Sequence, residues 1–524
     1  MIGLSLFSLC LSFAEATRVT LEKSHSFALV EDWTDLGPSR DESIHHVGFS
    51  MKISPTKRDA LEAFFWEVSD PNNPFYGQYI SREELVERYI GAQDEDLKSV
   101  AEFLSASGAV NVQIGVNRDI VFADATISNL ESILDTEFHS FHSNKYKLTV
   151  NRVISPYSLP ADIASKVALV DNIAVFPGIM TATFAEQPVG AASWPNFCPG
   201  GSACAGKITP NITAQIYNSF PLTSNFKVAE GNGMAIAEFQ GQKYDLKDLT
   251  NFGAGCNIPT VVVKDVNGNG VGLTGGIETM LDIEYISGNG LGTPLSNFYY
   301  QDYSLLAFAT QVNAQTGVAP LVYSVSYGND EVQQTSTDYM YQCNTAFMGS
   351  ATLGFSVLFA SGDQGVWGRS GVGLKFHPDF PASSPYITAV GGTDFKSISP
   401  SLTSHDEDCS TDGGGGFSNT FGIPSYQAAA VQGYIALAQA AGNLPPQSYW
   451  NATGRAYPDI SADFGAKVPY CILANGAWEG VGGTSASCPT VAHGSERVVN
   501  NLLKQPTHGV FKYTHTFFIC PDDP

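Results

Sequence analysis

Basic residues are scarce in this chain. Lys and Arg number 27 against 51 Asp and Glu among 524 residues, which leaves a formal net charge of −24. A surface so acidic repels nucleic acid and anionic membranes, and argues against both as partners. It suits work at low pH, where carboxylates take up protons and the net charge shrinks. Long apolar runs are missing too. Only residues 2–13 are almost wholly apolar, and they lead into Phe13-Ala14-Glu15-Ala16, an Ala-x-Ala ending. That reads as a secretory signal over 1–16, without the basic residues that usually open one. No later run reaches the roughly 20 residues of a membrane helix. A secreted product is therefore expected, with a vacuole or lysosome as the alternative destination.

Two catalytic signatures are absent. No Gly-x-Ser-x-Gly elbow occurs. No histidine stands where a base would be expected: between the linker and Ser485 there are only His377 and His405, neither in a His-Gly-Thr setting. His493 lies eight residues past Ser485 on the same expected helix, about two turns away.

The chain does contain Gly482-Gly483-Thr484-Ser485-Ala486-Ser487-Cys488-Pro489. Two glycines allow a tight turn, three hydroxyls follow, and Pro489 is expected in a first helical turn. A serine at such a junction has unpaired N–H groups beside it and the positive end of a helix dipole. That favours a nucleophile whose adduct is anionic. Taken alone, the stretch reads equally well as a Ser/Thr-rich N-cap.

The totals imply more than one domain: 43% hydrophobic residues, 51 Gly and 28 Pro. Eight cysteines remain after the signal, with Cys198 and Cys204 the nearest local pair. Asn211-Ile212-Thr213 and Asn451-Ala452-Thr453 are glycosylation sequons. Asp265-Val266-Asn267-Gly268-Asn269-Gly270 begins like an EF-hand loop. Its twelfth position is Gly276, so the bidentate glutamate is missing and a plain glycine-rich loop is the better reading.

Residues 17–185 read as a separate α+β unit. A strand is expected at 48–53 and helices at 55–68 and 94–104. Strands follow at 111–114 and 119–123, then a short helix near 130–134, an order that fits a split βαβ domain. Residues 186–204 belong to a stretch rich in Ala, Gly, Ser and Pro, read as a linker and maturation region. Beyond it, apolar runs recur at 234–239, 260–263, 321–325, 356–360 and 386–390, with helical patterns between them. Buried strands alternating with helices predict a parallel sheet covered on both faces.

Catalytic groups in such a sheet gather at the carboxyl ends of strands. Glu278 and Asp282 are four residues apart, which on a helix puts both carboxylates on one face. One can orient the other and shift its proton affinity, or the pair can be an ordinary solvated face. Glu284 falls on another face and is expected to be solvated. Asp363 follows the 356–360 strand, either as a turn former or as a neutral acid that donates to an oxyanion. A serine nucleophile here would need a carboxylate base.

Together, Gly483-Thr484-Ser485-Ala486-Ser487, the Glu278/Asp282 pair and Ser361-Gly362-Asp363 resemble the sedolisins, the serine-carboxyl peptidases. So do Ser324–Gly328, Phe380–Tyr386, Ala389–Thr393, Gly414–Asn419 and Arg455–Asp459, while the first domain resembles their activation propeptide. The resemblance spans roughly Phe27 to Ala492. It implies a subtilisin-like α/β domain over 205–492, preceded by a ferredoxin-like propeptide that acts as an intramolecular inhibitor. Peptides or proteins would be the substrates, with tripeptide release and endopeptidase action as the two alternatives. Ser485 would be the nucleophile, Glu278 its base, Asp282 the group holding Glu278, and Asp363 the acid of the oxyanion hole. Calcium is implied as a cofactor. Residues 493–524 diverge and show no counterpart of the family's calcium loop, which raises a catalytically dead relative as a further reading.

Overall fold

A computed structural model describes residues 17–22, 33–144, 147–177, 183–184, 194–217, 228, 230–259, 261–290, 292–398 and 406–503, with 183–184, 202 and 494–503 by backbone alone. The expected signal, the heart of the expected linker and residues 504–524 lie outside this set.

The N-terminal unit is built from β1 (Arg18–Thr20), β2 (Thr34–Pro38), β3 (Ile44–Met51), α1 (Pro55–Ser69), α2 (Asp94–Ala106), β4 (Val110–Ile114), β5 (Ile120–Thr126), α3 (Ile127–Leu134), β6 (Phe138–Ser143), β7 (Leu148–Val153), β8 (Ser158–Pro160) and β9 (Val167–Asp171). Its helices start where the chemistry allows. Ser54 caps α1 by accepting from Lys57 N–H, with Pro55 in the first turn, and Thr126 caps α3 by accepting from Asn129 N–H. The main sheet runs β4–β5–β3–β9, all antiparallel. With α2 after β3 and α3 after β5, this is the ferredoxin-like order, as expected. Val47, Phe49 and Met51 on β3 pack with Val121 and Ala123 on β5 against Leu97, Val100 and Leu104 of α2.

Beyond β10 (Thr183–Phe184) the second unit contains β11 (Met234–Glu238), β12 (Val263–Val266), α4 (Ile277–Gly290), β13 (Leu295–Tyr299), α5 (Leu305–Asn313), β14 (Val322–Val325), α6 (Thr337–Thr352), β15 (Ser356–Ala360), β16 (Thr388–Phe395), β17 (Glu407–Cys409), β18 (Ile460–Asp463), β19 (Tyr470–Ala474), β20 (Ala477–Gly482) and α7 (Thr484–Leu503). The sheet order is β12–β13–β11–β14–β15–β16–β17, with β18 also on β16. All of these pairings are parallel except β16 with β17.

Strand periodicity divides the core in two. Met234, Ile236, Val322, Leu358 and Ala360 face α4 and α7. Ala235, Ala237, Tyr323, Val325, Val357 and Phe359 face α5 and α6. Both faces of the sheet are covered, which is why these strands lack polar alternation. The N-terminal unit sits on the second face. Leu169 and Val175 join the α5/α6 core, α1 packs against α6, and Phe65 lies edge-on to Tyr386 at 5.2 Å.

Three expectations change. The strand expected at 260–263 is β12, at Val263–Val266. Among the described residues it is an edge strand paired only with β13, and Val262 is exposed, so the apolar run did not mark its ends. The strand expected at 386–390 is β16, at Thr388–Phe395. Cys198 and Cys204 do not pair with each other. Cys198 bonds Cys256 and Cys204 bonds Cys471, tying the segment before the sheet to the helix after β11 and to β19. These are tertiary neighbours, which spacing in the sequence does not reveal.

Candidate active site

The Gly482–Pro489 stretch closes β20 and opens α7. Gly483 has φ +141°, and a Cβ there would lie 3.0 Å from Asp363 Oδ2, so the turn needs glycine. Ser485 is the second residue of α7 and fully buried, and its Oγ has no hydrogen-bond partner among the described residues. Pro489 is the sixth residue of α7, not part of a first turn. The helix begins earlier than the proline signalled, because Thr484 is fixed by contacts from another loop. Pro489 has no N–H to offer the Ser485 carbonyl four residues back.

Those contacts come from the loop after β15. Asp363 Oδ1 accepts from Thr484 N–H and from Thr484 Oγ1, each at 2.7 Å. Thr484 Oγ1 also bonds the Gly362 backbone on both sides, to its carbonyl at 3.1 Å and from its N–H at 3.2 Å. Asp363 is half-buried. Burial raises its proton affinity, while the two Thr484 donors and the Arg369 charge pull it down; the net is a carboxyl above its ordinary range.

Glu278 and Asp282 lie in the first two turns of α4, 3% and 0% exposed. The helix packs directly against α7. Cys488, one turn past Ser485, feels the charges of both carboxylates and accepts from Ser324 Oγ at 3.3 Å. Asp282 Oδ1 accepts from Ser326 Oγ at 2.9 Å. Burial, then Glu238, then Glu278 push the Asp282 carboxyl well above the usual range.

Glu238 is the residue that sequence reasoning missed. It ends β11, fully buried, and Oε2 accepts from Thr279 Oγ1 at 2.9 Å and Tyr327 OH at 3.0 Å. Burial raises its pKa to about 8, and its charge is among the causes that push the Asp282 carboxyl up. Two neighbouring buried carboxyl groups disfavour each other's charge, so both are pushed toward the protonated form. A lone acid closing an apolar strand, at the carboxyl end of a parallel sheet, was the available signal.

Glu284 is also buried, not solvated. It accepts from Leu473 N–H at 3.0 Å, because α4 is enclosed on every side and every residue from Glu278 to Gly290 is buried. His493 is on α7, with Nδ1 3.4 Å from the Thr490 carbonyl, and His377 is half-buried in the loop after Asp363. His405 lies outside the described residues. Among the described residues no histidine bonds Ser485.

A strand from the end of the expected first unit, just ahead of the linker, lies beside this site. β10 pairs antiparallel with β20, Thr183 opposite Gly482 and Phe184 opposite Val481, three to four residues before Ser485.

The Pro-kumamolisin activation domain matches residues 31–176, and the Subtilase family matches residues 302–505. Tripeptidyl-peptidase 1 of Rattus norvegicus is 34% identical over 529 aligned positions, covering 94% of this chain and 88% of the relative. The Homo sapiens tripeptidyl-peptidase 1 is 32% identical, covering 93% and 84%. The chain belongs to the sedolisin family. This sedolisin is a serine-type peptidase, and its N-terminal unit is the family's activation domain. A solved structure of Pseudomonas sedolisin, a serine-carboxyl proteinase complexed with two molecules of pseudo-iodotyrostatin, is 24% identical with TM-score 0.45. It covers 56% of this chain and 82% of that one.

The family implies calcium. Among the described residues of this sedolisin, no group of three or more His, Cys, Asp or Glu side chains could hold a metal ion. The EF-hand-like loop turns its oxygens to its own fold: Asp265 Oδ1 accepts from Asn297 Nδ2 and Asn269 Oδ1 from Val271 N–H, each at 3.1 Å. The EF-hand-like loop therefore does not fit a calcium ion.

Proposed function

We propose that the protein is an acid peptidase, made as a zymogen, that releases tripeptides from free N-termini. Its site is Ser485, Glu278, Asp282 and Asp363. The single observation that carries the reading is the staple of Asp363 to Thr484, which brings an acid with raised proton affinity to the residue beside Ser485.

Ser485 Oγ attacks the scissile carbonyl carbon, and its proton passes to Glu278. Asp282 holds Glu278, and protonation within the Asp282 and Glu238 pair spares the buried cluster negative charge. The new oxyanion takes a hydrogen bond from protonated Asp363 and sits at the positive end of α7. Glu278 then gives its proton to the leaving amine as the C–N bond breaks. Water hydrolyses the acyl-enzyme by the same steps in reverse order, returning Ser485. The scheme works only in acid, since Glu278 must be ionised while Asp363 is protonated.

The activation domain inhibits until it is removed by cleavage between about 180 and 197. Secretion, or delivery to an acidic organelle, suits these proton requirements. Peptides with a free and an acetylated N-terminus, digested by the activated enzyme, test the reading. Tripeptides should appear from the free peptide alone and vanish in Ser485→Ala. Equal cleavage of both peptides would make the enzyme an endopeptidase, and wild-type turnover in Ser485→Ala would remove the nucleophile.

A further inference from the structure

Two buried carboxylates outside the catalytic cluster join the N-terminal unit to the peptidase body: Asp171, which accepts from Ser304 Oγ at the N-cap of α5, and Glu22, which reaches α6. Glu22 follows β1, the strand that pairs with β8 through Arg18 opposite Pro160 and Thr20 opposite Ser158. It is 2% exposed. Tyr157 OH donates to its Oε2 at 2.6 Å, and Tyr157 is itself held by Val170 N–H, which donates to that same hydroxyl at 2.8 Å. Its Oε1 accepts from Thr335 Oγ1 at 3.0 Å and from Ser336 Oγ. Ser336 is the N-cap of α6 and accepts from Tyr339 N–H at 3.0 Å. Three hydroxyls therefore converge on one carboxylate, two of them fixed by backbone donors. One hydroxyl belongs to the activation domain and two to the start of a 16-residue helix of the body, whose dipole adds to the attraction. Hydrogen bonds to a buried charge are the strong ones, and removing the charge leaves donors stranded.

We propose that Glu22 is a latch that fastens the activation domain to the first turn of α6 and so sets how readily the zymogen opens. This rests on the reading of the N-terminal unit as an inhibitory propeptide. The latch itself is a docking contact and can be measured without catalysis.

The test uses the full chain carrying Ser485→Ala, which cannot process itself, at a pH above the ordinary carboxylate range of about 4. Hydrogen–deuterium exchange is followed in peptides over 335–345 and over the sheet of the N-terminal unit. Glu22→Ala should raise exchange in the 335–345 peptides about tenfold, as loss of a charge-assisted hydrogen bond implies. Thr335→Val, made on the body side, should do the same to a smaller extent, and the double variant should add little to Glu22→Ala. In the otherwise unaltered chain, Glu22→Ala should shorten the half-time of acid conversion about tenfold and leave kcat/KM of the product unchanged, because residue 22 leaves with the propeptide. Unchanged exchange in both single variants overturns the latch. So does exchange that rises only in the N-terminal sheet and only for Glu22→Ala, which would make the residue a purely internal support. Raised exchange with unchanged conversion would keep the latch and count against the zymogen reading.

Discussion

Thr484 gives both its backbone N–H and its hydroxyl to a single oxygen of Asp363, each at 2.7 Å. The loop after β15 and the turn before Ser485 are thus fixed to one another. Both Thr484 donors favour the charged form of Asp363, against the burial that favours the neutral one.

Thr484→Val removes the hydroxyl and keeps the shape. With one donor to the charged form gone, Asp363 should hold its proton to higher pH. The alkaline limb of kcat should move up by about one pH unit, the equivalent of one such hydrogen bond. Rates across pH, set beside a folding check by circular dichroism, measure it. A limb that moves down would reverse the sign of this account.

Glu238 links the site to stability. Its pKa in the folded chain, about 8, lies above the ordinary glutamate value of 4.5. The folded state therefore binds the proton more tightly than the unfolded one. Glu238 contributes its full stability below pH 4.5, and that contribution is lost as pH rises toward 8. The mature enzyme should melt at a lower temperature at pH 8 than at pH 4.5, and Glu238→Gln should lessen the difference. Melting curves of both proteins at the two pH values decide it; an equal loss in the variant would assign the slope to other groups.

The Cys204–Cys471 bond closes a long loop, with a sequence separation of 267. Cys204→Ser should cost about 2–4 kcal/mol of stability, read as a lower denaturant midpoint, with a steeper slope because the uncrosslinked denatured chain exposes more surface. Full stability in the variant would mean that the surrounding core alone holds β19 in place.

The parts of this protein that were legible in its sequence are the local ones. Alternating buried strands between helices announced the parallel sheet, and Gly482–Ser487 announced the turn ahead of a helix. Asp363 stood out because it directly follows an apolar strand. What was not legible depends on three-dimensional enclosure. Glu284 falls on a face of α4 that helical periodicity alone leaves open to solvent, yet β19 covers it. Glu238 looks like a polar strand end until Thr279, Tyr327 and Asp282 close around it. Cys198 and Cys204 are near each other in sequence but each faces a partner brought up by the fold. Pro489 looked like a helix start because it is allowed there, while Thr484 begins the helix five residues sooner.

The central claim is that Asp363 acts as a neutral acid toward an anionic intermediate, with Glu278 as the ionised base. The most direct measurement is kcat against pH for the activated enzyme and for Asp363→Asn. The wild-type profile should be a bell with its maximum well below neutrality, its acid limb set by the base and its alkaline limb by Asp363. Asparagine still donates an N–H and does not titrate there, so the variant should lose up to roughly 10²–10³ in kcat. Its alkaline limb should flatten or move while the acid limb stays in place. An alkaline limb unchanged in Asp363→Asn, or wild-type activity that climbs toward neutral pH as a histidine base of pKa near ~6.5 would require, contradicts the account.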